Sequence, residues 1–315
     1  MADVTADRIL ADLHKLWAGL AAPDSAPVLR ASALTLIVVA EEAEKPAGIA
    51  GTLAEVMREH PNRAVIVRVG AAGALGYHVN ALCWMPFGTR QQICCEQVEI
   101  AAPEAGLAGL VPVLLAITAP DLPLVVWCRS TRLFRLPALA PLFGRAGKVV
   151  ADAPLAELQQ ALARGWRVAD LSWARITRWR EIVAQIFEDP ARRAVLSPLR
   201  RVTVFYAGDA PPVTAYYLAG WVMSCADCGD IETRLEAVPP VRGGIEGLVL
   251  ESDSRRVSIR RAEGDSVLIE ADGLLSCALA PRLPEPELLI AELGIAGRDT
   301  VFERSLERAA RLAQR

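Results

Sequence analysis

The chain has 315 residues, 53% hydrophobic and 23% charged, which is enough for two ordinary domains with real cores and too apolar for disorder. A net charge of −3 gives no basic excess for nucleic acid. Seven cysteines, an odd number, and an opening segment carrying Asp3, Asp7 and Asp12 in place of a secretory leader point to free thiols in a reducing cytoplasm.

Lys15, Lys45 and Lys148 are the only lysines, so arginine is the default cation and single arginines are weak pointers to anion binding. The uncharged stretch Ala105 to Pro120 falls short of the roughly 20 apolar residues that span a bilayer. It reads as a buried element, and no membrane association is expected.

In chain order, Ile9, Leu13, Leu16 and Trp17 share one helical face that ends before Pro23. Leu34 to Val39 is a buried strand, Ile49 to Glu59 a helix, and Ala64 to Val69 a strand. Two more strands, Tyr77 to Trp84 and Gln91 to Ile100, flank Gly88 as in a hairpin, and a helix follows to Thr118. Leu124 to Trp127, a proline-punctuated helical segment Leu133 to Phe143, Lys148 to Val150 and a helix opened by Pro154 continue a βα rhythm with parallel pairing.

From Asp170 the pattern changes. A helix runs to Phe187, with Trp179, Ile182, Val183, Ile186 and Phe187 as its apolar stripe and Thr177 as its expected N-cap. Strand Arg201 to Tyr206 and helix Pro212 to Ser224 follow. Short runs at Ile231–Val238, Leu248–Glu251, Val257–Arg261, Val267–Glu270 and Leu274–Leu279 then read as an antiparallel meander. Helices over Glu285 to Leu293 and Asp299 to Ala313 close the chain. The expected fold is α/β, two α/β subdomains with mixed sheets, divided into 1–169 and 170–315, the second rich in antiparallel strands. The similar element order of the halves suggests a distant duplication.

Enzyme signatures are sparse. His14 lies on the first helix, His60 before Pro61 caps a turn, and His78 sits in a strand without partners for a triad or metal site. No Gly-x-Ser-x-Gly or Gly-x-x-x-x-Gly-Lys-Ser/Thr segment occurs. Gly70, Gly73 and Gly76 have the wrong spacing for a dinucleotide fingerprint, and a strand follows them. Cys225 and Cys228 are a possible redox pair, half a zinc site, or simply inert thiols.

Four segments occur in an order that resembles the glucose-6-phosphate dehydrogenase assembly proteins, the OpcA family. They are His60-Pro61-Asn62-Arg63, the run from Asp121-Leu122-Pro123 to Trp127, the run from Asp170 through Trp173, Arg175, Thr177 and Trp179 to Glu181, and Leu218-Ala219-Gly220-Trp221. The resemblance covers residues 60 to 222. It departs at Cys128, Arg178 and Ser172, where the family usually has tryptophan, often proline, and commonly asparagine.

The resemblance implies a cytoplasmic, non-catalytic partner of glucose-6-phosphate dehydrogenase that favours the enzyme's active oligomer, with no cofactor and no metal. Candidate contacts are Trp173, Arg175, Arg178 and Arg180, with Asp121 and Arg129 on the other matching strand; Trp173 and the arginines form a surface patch in this reading. The rival reading is a sugar-phosphate-binding protein or enzyme. It predicts a concave cluster of Arg129, Arg175 and Arg180 around a pocket, where the partner reading predicts a flat surface with an aromatic centre.

Overall fold

The computed structural model describes residues 4–20, 27–70, 73–86, 88, 91–189, 199–226 and 231–314, which divide into two compact units. The first comprises Met1–Ala153, Gln160–Asp170 and Glu285–Gly294; the second comprises Pro154–Gln159, Leu171–Pro284 and Ile295–Arg315.

The first unit is built on strands that are apolar on both faces, as parallel pairing requires. Strand β2 (Leu34–Glu41) is buried from Leu34 to Ala40. It is flanked by β3 (Asn62–Gly70) and β6 (Leu124–Cys128), both parallel to it. Beyond β3 lies β5 (Gln92–Pro103), and beyond β6 lie β7 (Lys148–Ala151) and β8 (Val168–Asp170). Counting only these parallel strands, the spatial order is third, second, first, fourth, fifth, sixth, that of a doubly wound dinucleotide-binding sheet.

Two additions complete the sheet. A short β1 (Val28–Arg30), which the sequence pattern did not disclose, runs parallel to the start of β5, and β4 (Gly76–Trp84) pairs antiparallel along β5. Connections are helical: α2 (Pro46–Glu59) after β2, α3 (Leu107–Ala116) after β5, α4 (Thr131–Phe134) and α5 (Ala140–Arg145) after β6, and α6 (Leu155–Ala163) after β7. Helix α1 (Ala6–Leu20) packs on β4.

Buried polar groups fix the register of these elements. Glu96 of β5 is 3% exposed, and it accepts from Arg63 Nε at 2.5 Å, from Arg30 and from the indole of Trp17. A buried carboxylate is tolerated only with such partners. Arg63 also donates to the carbonyl of Ile117, and Asn62 Nδ2 donates to the carbonyl of His60 at 2.8 Å. His60 ends α2, its backbone N–H bonded to Val56, as a turn-capping residue should.

The second unit holds strands β9 (Leu199–Ala207), β10 (Glu232–Ala237), β11 (Gly244–Ser252), β12 (Arg256–Arg261), β13 (Ser266–Ala271) and β14 (Leu274–Leu279), in the order β10-β9-β11-β12-β13-β14. The meander is therefore β11 to β14. The run at 231–238 does not belong to it, because β10 lies parallel to β9 at the opposite edge. The two sheets have different topologies, so the parallel element order of the halves is not a structural repeat.

On the inner face Val202, Val204, Leu248, Leu250, Val257, Ile259 and Val267 form a buried layer. Helices α9 (Val213–Cys225) and α11 (Thr300–Leu312) pack closely together. The last anticipated helix but one, α10 (Glu285–Gly294), packs instead on α2 in the first unit.

The α9–α11 contact depends on Gly220. A Cβ there would meet the backbone N of Ala309 and O of Ser305 at 2.8 Å, closer than real Cβ contacts permit. Overpacking against backbone costs about 1–3 kcal/mol. Gly220→Ala should therefore lower the stability of the chain by about 2 kcal/mol, measured as a reduced midpoint in urea unfolding with an unchanged slope.

Candidate functional site

In an open parallel sheet, ligands bind outside the carboxyl ends of the strands at the point where strand order reverses. Here that point lies between β2 and β6. The chain leaving β2 reads Glu41-Glu42-Ala43-Glu44-Lys45-Pro46 and enters α2, whose N-cap Lys45 makes no side-chain cap. A pyrophosphate-binding turn requires glycines that let the backbone approach the ligand. Carboxylates repel the same ligand.

Arginines from the end of β6 occupy the place instead. Arg132 pairs with Glu41 and with Glu104, joining the carboxyl ends of β2 and β5. Ser130, the N-cap of α4, donates to Glu41 Oε1 at 2.6 Å. Arg129 pairs with Glu44 at 2.5 Å and Glu285 at 2.6 Å, and its guanidinium lies 4.3 Å from the Trp127 ring centroid. The hydrogen bonds from Arg132 hold the Glu41 carboxyl below its ordinary range. Burial would lower the pKa of Arg129, but its two carboxylate partners raise it. Asp121 is exposed at the other end of β6, so Asp121 and Arg129 do not form one contact.

The third matching segment, from Asp170 to Glu181, folds as two helices, α7 (Leu171–Ala174) and α8 (Thr177–Ile186). Thr177 does not cap α8. The preceding residue, Ile176, takes the cap position without a side-chain bond, and Thr177 Oγ1 accepts from Arg180 Nη2 at 2.8 Å. Trp173 is only 2% exposed. Its ring meets Tyr217 at 5.7 Å and Phe302 at 5.8 Å, and its Nε1 donates to Asp299 Oδ2 at 3.1 Å. Asp299 in turn caps α11, accepting from Val301 and Phe302. Arg180 lies 3.7 Å over the indole. The aromatic centre is thus a core, with Arg175 exposed and Arg178 half-buried beside it.

Of the arginines that the rival reading groups, Arg175 lines a cavity in the second unit. That cavity, about 490 Å³, lies within the second unit and is lined by Arg175, Arg178, Arg261 and Arg282 among other residues. Arg261 and Arg282 carried no motif, since only the folding of β12 and of the segment after β14 brings them beside α8. Arg129 belongs to the first unit.

On the outer face of the same sheet, register places Leu268 opposite Cys277 and Ser266 opposite Leu279, with Leu275 two residues from Cys277. Leu268, Leu275 and Leu279 are 51%, 76% and 61% exposed, and β14 is the last strand in the order. Exposed apolar area on an edge hairpin is of the kind that partners cover in other proteins. By sequence pattern this run reads only as a strand.

The thiols differ from the expectation. Cys83 and Cys94, opposite one another on β4 and β5, are joined in a disulfide. Strand pairing brings together two cysteines eleven residues apart, which spacing alone did not indicate. Cys128 is buried, and burial pushes its pKa up to about 12. Cys225 is exposed at the end of α9, with its sulfur desolvated enough to raise its pKa; Cys228 lies outside the described residues. Among the described residues no group of three or more His, Cys, Asp or Glu is arranged to hold a metal, and no helix is long and apolar enough to cross a membrane.

Two family models match along the chain, both described as a glucose-6-phosphate dehydrogenase subunit: the N-terminal domain of that family over residues 53–165 and its C-terminal domain over residues 167–306. An OxPP cycle protein OpcA of Synechocystis sp. is 25% identical over 230 residues, 65% of this chain and 48% of the relative. One from Nostoc punctiforme is 28% identical over 140 residues, 42% of this chain and 30% of the relative. The chain spans at most about half the length of these relatives. Among solved structures, an oxidoreductase from Sinorhizobium meliloti superposes with a TM-score of 0.50 at 10% identity, over 89% of this chain and 96% of that one. At that identity the likeness concerns the fold alone.

Because Arg132 depresses the pKa of Glu41, the pair contributes stability above the unfolded carboxyl value, about 4.3, and loses it as pH falls through the folded value. Glu41→Gln should lower stability at neutral pH and flatten its decline below about pH 4.3, seen in urea unfolding of both proteins across roughly pH 3 to 7.

Proposed function

Because this chain belongs to the OpcA family of glucose-6-phosphate dehydrogenase assembly proteins, we propose that it is a non-catalytic factor that binds that dehydrogenase and favours its active oligomer. The observation that carries the reading is the crevice between β2 and β6. The fold offers a place for a dinucleotide, but Glu41 and Glu44 stand there in ion pairs with Arg132 and Arg129. A fold shared with dinucleotide-binding enzymes does not carry their function, which is argued from the site.

The surface best suited to a partner is the outer hairpin of β13 and β14. Three exposed leucines supply apolar area, and Arg178 lies at its border, donating to the carbonyl of Leu279 at 2.6 Å. Arginine beside apolar area is a common composition for an interface centre. Arg175 and Asp121 are the anticipated contacts that are exposed. Trp173 and Arg180 act from beneath by fixing α7 against α9 and α11. A ligand that prefers the assembled enzyme shifts the enzyme's population toward it by mass action, without chemistry of its own.

Light scattering and activity assays of the dehydrogenase at fixed concentration, with increasing amounts of this protein, test the proposal. A mixed complex or larger enzyme oligomer with a saturable rise in activity is expected. A double variant, Leu275→Asp with Leu279→Asp, should weaken the effect about tenfold or more while remaining folded. No complex and no change in activity, with both proteins folded, would sink it.

A further inference from the structure

The second unit contains a feature that dehydrogenase binding does not require. The cavity beside α8 is lined by four guanidinium-bearing residues and by no Asp or Glu. Arg178 is partly neutralised by Glu181 at 3.0 Å. Arg261 and Arg282 form no ion pair among the described residues. Their bonds go to backbone carbonyls instead, Arg261 to Ala280 and Arg282 to Gly243.

The wall that holds Arg282 is specially shaped. Gly243 and Gly244 have φ of 86° and 71°, and a Cβ at either would press on Arg282 Nη2 at 3.3 and 3.1 Å. The buried carboxylate of Glu246 accepts the N–H groups of Val241, Arg242 and Gly243, which fixes this turn. Arg261 meanwhile lies 5.1 Å from the Trp179 ring centroid.

Burial lowers the pKa of Arg261, and the nearby charges of Arg282 and Arg242 lower it further, only partly offset by Glu246 and Asp265. Arg261 and Arg282, which bond backbone carbonyls rather than a carboxylate, are stabilised by an anion from outside. Helix α9 adds to the field: Pro212, Val213 and Thr214 line the cavity at its N-terminus, where first-turn N–H groups have no intrahelical acceptor. The remaining wall includes Trp179, Ile245 and Leu283, which suits the non-ionic part of an organic ligand.

We infer that this cavity is a binding site for a small organic phosphate, its phosphoryl group held by Arg175, Arg261 and Arg282 and its body lying against Trp179 and Ile245. Planar guanidiniums match phosphate oxygens in paired hydrogen bonds. The volume, about 490 Å³, is of the size that takes a sugar phosphate or nucleotide. The cavity shares Arg175 and Arg178 with the proposed partner surface, but phosphate binding is read on the protein alone, so either reading can fail without the other.

Isothermal titration of the protein alone with glucose 6-phosphate, pyrophosphate and inorganic phosphate, using glucose as the neutral control, tests the site. Saturable one-to-one binding of glucose 6-phosphate is expected, weakened by salt and absent with glucose. Arg282→Gln and Arg175→Gln alter exposed side chains and should each reduce affinity about tenfold. Arg200→Gln, on the strand pair far from the cavity lining, should leave it unchanged. The proposal is overturned if no phosphate compound binds at millimolar concentration, or if binding survives both cavity variants. It is equally overturned if no small phosphate binds but Arg282→Gln weakens the dehydrogenase complex, because the cavity would then receive an acidic segment of the enzyme.

Discussion

Carboxylates at the carboxyl edge of a parallel sheet require cations, and in the first unit that requirement organises everything around β2. Glu41 and Glu44 lie partly exposed at the end of β2 and the approach to α2, and each is held by a guanidinium. Both guanidiniums come from one short segment, Arg129 to Arg132, at the end of β6. The segment also joins β5 through Glu104 and α10 through Glu285. Removing one partner would leave carboxylates near one another without their cation, a cost that solvent moderates. The same pairs stand where other doubly wound sheets hold a dinucleotide, so one set of contacts both ties the strands together and fills the crevice.

In the second unit an aromatic hub takes the corresponding part. Trp173 carries the contact: its ring meets Tyr217 and Phe302, and its N–H reaches the aspartate that starts α11. Helices α7, α9 and α11 are thereby set under one face of the sheet. Its other face keeps the exposed leucines, and the flank beside α8 becomes a cavity. Arginines do different work in each setting. Arg180 and Arg129 lie over indoles, Arg132 and Arg201 sit among carboxylates, and Arg261 and Arg282 border a cavity without acidic lining. An arginine's role follows from its neighbours, which is why so arginine-rich a chain offers little guidance residue by residue.

The segments that carried the family resemblance prove to be packing devices. Asn62 binds the carbonyl that ends α2, Arg63 neutralises a buried glutamate, Trp127 forms a floor beneath Arg129, and Gly220 lets two helices touch. Backbone contact, buried charge and aromatic packing each tolerate few substitutions, so such residues make a legible pattern. Other details lie outside what local pattern contains. Thr177 has an N-cap's chemistry, but α7 ends so close to α8 that the cap position falls on Ile176. β10 alternates like a meander strand yet pairs parallel, because partner choice depends on where the chain returns after α9.

The sequence by itself determined the α/β class, most strands and helices, the family, and the lack of catalytic and phosphate-loop motifs, because these depend on hydrophobic period, turn residues and short-range spacing. Tertiary structure alone decided that the strand order creates a crevice and that Glu41 and Glu44 fill it. It also decided that Trp173 is core, that Cys83 meets Cys94, and that Arg175, Arg261 and Arg282 border one cavity. Each of those facts is a distance between residues remote in sequence or a solvent exposure. Both are fixed only when strands pair and helices pack, since nothing in a residue's own neighbourhood records what the far end of the chain will bring against it.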